Sequence, residues 1–198
     1  MLYLYIICIC SFIIILLNAV FFSTILLLNF FQITLLTVIC VVIQILVDLI
    51  LALIGRRCFP SKWFGVNNKL FCAKPKERLF YEKIGIKKWK DKVLELGALS
   101  GFRKNKIREP KNNEYIGKYI LEANYGVLVH VLNVIFGFSI AFIFPQKYIL
   151  SFCLPVSIVN AVLNLLPLFV LRYNLPKLFM IYKFNNRQLT NKKIDKVC

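Results

Sequence analysis

Long apolar runs alternate with basic segments along this chain. Residues 1–54 form one unbroken apolar region, which is too long for a single bilayer span at about 1.5 Å of helix rise per residue. We therefore expect an N-terminal transmembrane hairpin that turns at 29–32, with 18–24 as the alternative turn. A second transmembrane hairpin is predicted over 119–171, with its turn at 144–147.

The segments outside the two hairpins are a loop at 55–118 and a tail at 172–198, and both mix bases with apolar residues. In the loop, apolar positions recur at three- to five-residue steps after Lys76, with Gly85 as a possible break. This mixture is typical of helices that lie in a membrane interface. The chain is thus predicted to be an all-α integral membrane protein with about four transmembrane helices and amphipathic interfacial helices in a basic loop and tail.

The positive charge is unevenly distributed, which predicts the orientation. Of 26 Lys and Arg residues none precedes Arg56, 18 lie between Gly55 and Lys118, and the formal net charge is +17. Because positive segments face the cytoplasm, we expect a multi-pass protein of the cell membrane with both termini cytoplasmic. The loop charge has three explanations: orientation together with anionic-lipid attraction, docking of a phosphorylated cofactor, or docking of an acidic carrier protein. Nucleic acid is disfavoured because no recognition fold accompanies the charge.

Several other chemistries are disfavoured by the sequence. The seven cysteines show no metal-ligand spacing, so we expect free thiols and no metal site. The sequence contains no phosphate-binding Gly-rich loop, HxxxxD pair or GxSxG elbow, which argues against soluble hydrolase and acyltransferase folds.

Polar residues inside the hairpins are the candidates for chemistry, because unpaired polar groups in a bilayer cost several kcal/mol. Counting helix rise places His130, Asn164 and Asp48 at one level, roughly 10 to 12 Å below the basic side. Glu122 and Arg172 fall near the rim, where their opposite charges could pair. His130 is the only histidine and the leading catalytic candidate, with a packing role as the alternative.

Three segments of the sequence resemble the same protein family. Residues 81–106 read YEKIGIKKWKDKVLELGALSGFRKNK, with a KKWKD core followed by a Gly-Phe-basic stretch. In LEANYGVLVH a glutamate, Glu122, precedes His130 by eight residues, and NLLPLFVLRYNLPKL carries a closing Arg-Tyr-Asn-x-Pro block. Over about two-thirds of the chain, the sequence resembles the bacterial glycosyl-4,4'-diaponeurosporenoate acyltransferases.

The resemblance implies transfer of a fatty acyl group from a thioester to a sugar hydroxyl of a glycosylated carotenoid or similar isoprenoid glycolipid, as in staphyloxanthin biosynthesis. The enzyme would be a histidine-dependent O-acyltransferase without a permanently bound cofactor, and acyl-CoA or acyl carrier protein would be its donor. In this reaction His130 would be the base, Asp48 or Glu122 would orient it, and Asn164 would donate to the oxyanion. Further candidates are assigned to the acceptor (Asn164, Arg172, Asn174 and Trp89) and to the donor (Lys87, Lys88, Lys90 and Arg103).

The expected partners are a lipid acceptor within the membrane, anionic lipid, and an acyl carrier protein or other pathway enzymes. Three alternatives stay open from the sequence. One is an acyltransferase acting on another membrane glycolipid, and a second is a non-catalytic protein that binds anionic lipid or recruits a partner. The third is a membrane reductase or methyltransferase with a nucleotide cofactor at the basic loop.

Overall fold

A computed structural model describes residues 2–93 and 107–194 of the chain. It is 84% helical, and the described residues contain no strand, which confirms the predicted all-α class. The α-helices are α1 (Leu2–Leu17), α2 (Ser23–Leu26), α3 (Phe30–Cys58), α4 (Pro75–Lys83), α5 (Ile86–Trp89), α6 (Asn113–Phe136) and α7 (Leu154–Ile194).

Four helical stretches in the described residues are long and apolar enough to cross a bilayer, as the sequence predicts. They are Tyr3–Leu26, Phe30–Cys58, Asn113–Phe142 and Gln146–Gln188. Large apolar side chains on the first two are solvent-exposed in the isolated chain, including Phe12 and Phe21. Such a surface is suited to lipid tails, because a protein in water rarely exposes large contiguous apolar patches.

The chain divides into two compact units, which are described separately. Unit 1 consists of Met1–Gly55 and Val129–Leu166, and unit 2 consists of Arg56–Leu128 and Pro167–Cys198. Helices α6 and α7 each contribute one part to unit 1 and the other part to unit 2.

In unit 1 the first helical hairpin breaks between α2 and α3. Leu27 ends α2 in a left-handed conformation with a φ of 54°. Asn29 then caps α3: its Oδ1 accepts from the Gln32 N–H at 2.9 Å, and Gln32 Oε1 accepts from the Asn29 N–H at 3.0 Å. This reciprocal capping box satisfies donors that a helix start leaves open. The break therefore lies next to the preferred turn, whereas the alternative at 18–24 is wrong because that segment is helical.

The core of unit 1 is apolar, with one buried amide beside it. Its fully or nearly fully buried members are Ile14, Ile33, Cys40, Ile140, Phe152, Cys153 and Val156. The Asn18 side-chain amide donates to the carbonyl of Ile14 at 2.9 Å and to that of Ser151 at 2.8 Å. Because Ser151 lies in the π-helical segment Ile149–Cys153, the second of these bonds connects the end of the first helical stretch to the start of the last long helix.

Unit 2 has an aromatic core that fixes the start of the basic loop. Phe64 is buried and stacks on Phe71 at 5.4 Å and on Tyr125 of α6 at 4.2 Å between ring centroids. Asn124 Nδ2 donates to the Phe64 carbonyl at 2.6 Å, and the Tyr125 hydroxyl donates to the Phe59 carbonyl at 2.9 Å. The loop is thus held on α6 by both stacking and hydrogen bonds.

Within the loop, the break expected at Gly85 is present. Gly85 has a φ of 70°, a left-handed conformation that glycine adopts without steric cost, and it separates α4 from α5. Helix α4 begins with Pro75 in its first turn, where a missing N–H is tolerated.

The C-terminal end differs from the expectation. The sequence predicts that the second hairpin ends at 171 and that a basic tail follows it. Instead α7 continues through Pro167 and Pro176 to Ile194, and residues 195–198 lie outside the described part. A proline removes one backbone donor, and the helix persists here because buried neighbours such as Leu175 and Leu178 hold it by packing.

We expect Asn18→Ala to destabilise the protein by about 1 kcal/mol, because two buried backbone carbonyls lose their donor in an apolar setting. Thermal unfolding of the purified protein in detergent measures this effect. Val20→Ala, at a position that is 70% exposed, is the control and should leave the unfolding midpoint unchanged. Equal midpoints for the two variants would contradict the assignment.

Candidate active site

The centre of the polar cluster in unit 1 is the carboxyl group of Asp48 on α3. Three side-chain amides donate to it: Gln44 Nε2 to Oδ1 at 3.3 Å, Asn160 Nδ2 to Oδ1 at 3.0 Å, and Asn164 Nδ2 to Oδ2 at 3.1 Å. Gln44 precedes Asp48 by one helical turn, and Asn160 and Asn164 are one turn apart on α7. A carboxyl group among apolar helices needs such donors, since its burial without them is costly.

Asn164 connects this carboxyl to the single histidine. Its Nδ2 faces Asp48 and the Asn160 carbonyl, so its Oδ1 faces His130 Nδ1 at 2.9 Å. An amide oxygen only accepts, and therefore the Nδ1 of His130 carries the hydrogen and donates it. The neutral imidazole then has its lone pair on Nε2. Asn133 Nδ2 donates to the same oxygen at 3.2 Å.

Two buried acceptors beside this network lack a hydrogen-bond partner among the described residues. They are Oε1 of Gln44 and Oδ1 of Asn133, on side chains that are 3% and 5% exposed. Buried acceptors are normally satisfied by protein, water or ligand. The cluster therefore keeps two buried acceptor atoms that no described side chain satisfies.

A glycine allows the amides to approach closely. A Cβ on Gly137 would lie 2.9 Å from Asn160 Nδ2 and 3.2 Å from Gln44 Nε2. The Gly137 carbonyl also accepts from the Ser157 hydroxyl at 3.3 Å. Gly137 thus leaves the space in which the two amides reach Asp48.

The structure brings His130, Asn164 and Asp48 together, as counting helix rise predicted. Two of the roles that the resemblance implied differ from the contacts in the structure. The imidazole Nδ1 bonds to Asn164 instead of to a carboxylate, so neither Asp48 nor Glu122 orients it directly. The Asn164 amide hydrogens go to Asp48 and Asn160, so they do not stand ready for an oxyanion.

Unit 2 contains a second polar cluster, centred on Glu77 of α4. Arg172 donates to it in a bidentate manner, from Nε to Oε1 at 2.6 Å and from its terminal nitrogen to Oε2 at 2.7 Å, and the Tyr81 hydroxyl also donates to it. The Arg172 guanidinium lowers the pKa of Glu77 to about 2. The expected Glu122–Arg172 pair is wrong: Glu122 pairs with Arg56. The reason is that α4 lies against α7, where the Ala73 N–H donates to the Arg172 carbonyl at 3.3 Å.

Tyr173 of α7 contacts the region around α5 that carries the expected donor-binding lysines. Its hydroxyl donates to Glu82 at 3.2 Å, and Lys90 Nζ lies 5.9 Å from its ring centroid. Lys87 forms an ion pair with Glu82 at 3.3 Å, while Lys88 is exposed. The remaining expected residue, Arg103, lies outside the described residues.

Comparison with known protein families supports the resemblance seen in the three sequence segments. The sequence model of the glycosyl-4,4'-diaponeurosporenoate acyltransferases matches residues 60–183, which is more than half of the chain. The chain belongs to this family. No curated protein and no solved structure matches it. Membership supports acyl transfer to a glycosylated diaponeurosporenoate. The matched residues include α4 to α6 and α7 up to residue 183, with His130, Asn164 and the Arg172 block.

Two further residues expected at the acceptor site of this acyltransferase belong to unit 2. Trp89 is half-buried and donates from Nε1 to the Ile84 carbonyl at 3.2 Å, which stabilises the turn at Gly85. Asn174 is half-buried on α7. Gln44, Asn160 and Glu77 had no role predicted from the sequence. The spacing in the sequence could have identified Gln44 and Asn160, because Gln44–Asp48 and Asn160–Asn164 are both i,i+4 pairs on one helix face.

We expect Gly137→Ala to lower both thermal stability and acyltransferase activity, because the new methyl group displaces the amides of Asn160 and Gln44 from Asp48. Gly65→Ala is the matched control, since its methyl group would meet nothing within 4 Å. Unfolding midpoints and lipid products of both variants measure the effect. If Gly137→Ala behaved like Gly65→Ala, the close packing described here would be incorrect.

We expect Glu77 to make the stability of the protein dependent on pH in the acid range. Its folded-state pKa lies below the ordinary 4.5, so its stabilising effect is present above about pH 4.5 and is lost as the pH falls towards 2. Glu77→Gln should lower the unfolding midpoint at pH 7. It should also make the fall of the midpoint between pH 5 and about 2 less steep than in the wild type. Thermal unfolding across that range checks this, and parallel curves for wild type and variant would contradict it.

Proposed function

We propose that this chain is a multi-pass O-acyltransferase of the cell membrane. It moves a fatty acyl group from a thioester to a sugar hydroxyl of a glycosylated carotenoid acid or a similar isoprenoid glycolipid. The observation that carries the proposal is the hydrogen bond from His130 Nδ1 to Asn164, which leaves Nε2 as the basic nitrogen. Family membership supplies the reaction class.

In the proposed reaction His130 acts as base and then as acid. Its Nε2 takes the proton of the sugar hydroxyl while that oxygen attacks the thioester carbonyl and forms the new C–O bond. The tetrahedral intermediate collapses, the C–S bond breaks, and the imidazolium returns the proton to the leaving thiolate. The products are the acylated glycolipid and a free thiol, so atoms and protons balance without another reactant.

Asp48 and Asn164 are assigned as positioning residues. Asp48 accepts from the Asn164 amide, which orients the Asn164 oxygen towards Nδ1 and polarises it. As Nε2 gains its proton, the Nδ1–H bond to this oxygen strengthens, and the imidazolium is stabilised.

The acyl donor is assigned to the basic loop of unit 2. Arg78 and Lys90 lie 5.6 and 5.9 Å from the Tyr173 ring centroid, and exposed Lys88 adds a third cation on the same short stretch. Clustered cations suit the phosphates of coenzyme A or the acidic face of an acyl carrier protein. Lys87 and Arg103 complete the expected set. The positive charge also favours anionic lipid and a cytoplasmic position for the loop and both termini.

We expect His130→Ala to reduce acyl transfer by about 10² to 10⁴-fold, the usual contribution of a positioned general base. Lipid mass spectrometry on cells that supply the glycosylated acceptor measures the species heavier by one fatty acyl group. Empty vector and cells without the acceptor pathway are the controls, and the unfolding midpoint establishes that the variant is folded.

The outcomes separate the competing roles. An acylated product that persists in His130→Ala at the wild-type level would make the histidine a packing residue. No acylated product from the wild type with either acceptor supply would favour a non-catalytic protein that binds anionic lipid.

A further inference from the structure

The part of α7 that belongs to unit 2 has one buried face and one exposed face. Leu175 is buried, as is Asn185, whose Nδ2 donates to the Pro110 carbonyl at 2.8 Å. The opposite face carries exposed residues at steps of three and four, which place them along one side of a helix. They form what we call the α7 stripe: Lys177, Met180, Phe184 and Arg187. Its two apolar members are 59% and 60% exposed.

The positive charge around this stripe is concentrated. Lys183 lies beside the stripe and interacts with two other cations, Lys69 of the basic loop and Arg187. In the described part of the chain, neither these three cations nor Lys177 forms an ion pair. Like charges held close together repel one another, and an approaching carboxylate or phosphate offsets that repulsion. The stripe therefore favours a negatively charged partner.

The apolar members of the stripe indicate that this partner is a protein. Small ligands bind in concave sites that bury most of their surface, whereas the exposed face of a single helix is convex. Methionine, phenylalanine and arginine are enriched in protein–protein interfaces, where apolar anchors lie inside a polar rim. Met180 and Phe184 have this arrangement, with Lys177 and Arg187 at either end. The matching surface is acidic and presents apolar residues between its carboxylates.

Two other occupants are disfavoured by distance and charge. Arg172 is the first charged residue of α7, and Met180 and Phe184 follow it by ~12 and ~18 Å of helix rise. The headgroup layer on each side of a bilayer is only about 5 to 8 Å thick. A lipid surface therefore does not suit a stripe this far along the helix. A second copy of the chain would bring the same cations and be repelled.

We propose that the α7 stripe docks an acidic carrier protein, with apolar residues of the partner on Met180 and Phe184. Carboxylates of the partner would then pair with Lys177, Lys183 and Arg187. That this carrier brings the fatty acyl thioester rests on the proposed function. The stripe then distinguishes between two donors that the sequence leaves open, because coenzyme A has no protein surface to place on a helix face.

Binding is measured on the full chain in nanodiscs of phosphatidylcholine, which has no net charge. The probe is a bacterial acyl carrier protein loaded with a palmitoyl thioester, and biolayer interferometry gives its Kd. We expect the Kd to rise with salt concentration, as for other surfaces that bind through charge. The carrier without its acyl chain should bind as well, because the proposed contacts are made by its protein surface.

Two variants and two matched controls make the measurement specific to the stripe. Phe184→Ser and Arg187→Glu should each weaken carrier binding about tenfold, as expected for an anchor and a charge inside an interface. Leu79→Ser, at a 66% exposed position on α4, is the control for the apolar change. Lys147→Glu, at an exposed position in the turn of the second hairpin, changes the net charge by the same amount as Arg187→Glu. Both controls should bind like the wild type.

Weakening by both stripe variants and by neither control supports the proposal. Equal Kd values in all five proteins would overturn it, and so would weakening by Arg187→Glu without weakening by Phe184→Ser, because charge alone would then explain the binding. Phe184→Trp tests the lipid alternative in anionic nanodiscs without carrier. Quenching of its added fluorescence by brominated lipid tails would place the stripe on the bilayer and overturn the proposal.

The proposed function can fail separately from this docking surface. Carrier binding with the expected variant effects, in a protein that yields no acylated lipid, would leave the docking surface in place and refute the acyltransferase assignment. An acylated product made from palmitoyl-coenzyme A by a protein that does not bind the carrier would overturn the docking proposal and leave the acyltransferase assignment in place.

Discussion

The burial of one carboxyl group among apolar helices is the constraint on which the polar cluster of unit 1 depends. Asp48 requires hydrogen-bond donors there, and α3 and α7 supply them through Gln44, Asn160 and Asn164. Once the amide hydrogens of Asn164 face Asp48, its oxygen must face the other way, towards His130. The tautomer of His130 is therefore a consequence of the hydrogen bond between Asn164 and Asp48.

Unit 2 depends on a different kind of contact. It contains the bidentate ion pair of Glu77 with Arg172, which attaches α4 to α7 within the same unit. A tilted ring contact between Tyr81 and Phe169, with centroids 5.2 Å apart, adds an apolar contact to this attachment. The lysines of α5 follow directly after this anchored helix, so the ion pair sets the position of the basic surface proposed for the donor.

Periodicity and hydropathy predict the helices of this chain well, because bilayer length and helix rise are fixed quantities. The same counting predicts the convergence of Asp48, Asn164 and His130, since antiparallel helices place equally deep residues together. It does not predict partners around a helix axis: the packing of the loop decides that Arg172 contacts Glu77 and not Glu122. Nor does a proline in the sequence reveal whether packing keeps a helix intact, as it does beyond Pro176.

The proposed base is one nitrogen atom of His130, and its protonation can be measured directly because the chain contains a single histidine. Nitrogen-15 NMR of the histidine-labelled protein, purified without a histidine tag and held at a pH where the imidazole is neutral, reports which ring nitrogen carries the hydrogen. We expect a hydrogen on Nδ1 and a lone pair on Nε2 in the wild type, and we expect this preference to be lost in Asn164→Leu. A hydrogen on Nε2 in the wild type would contradict the proposed base and the network that orients it.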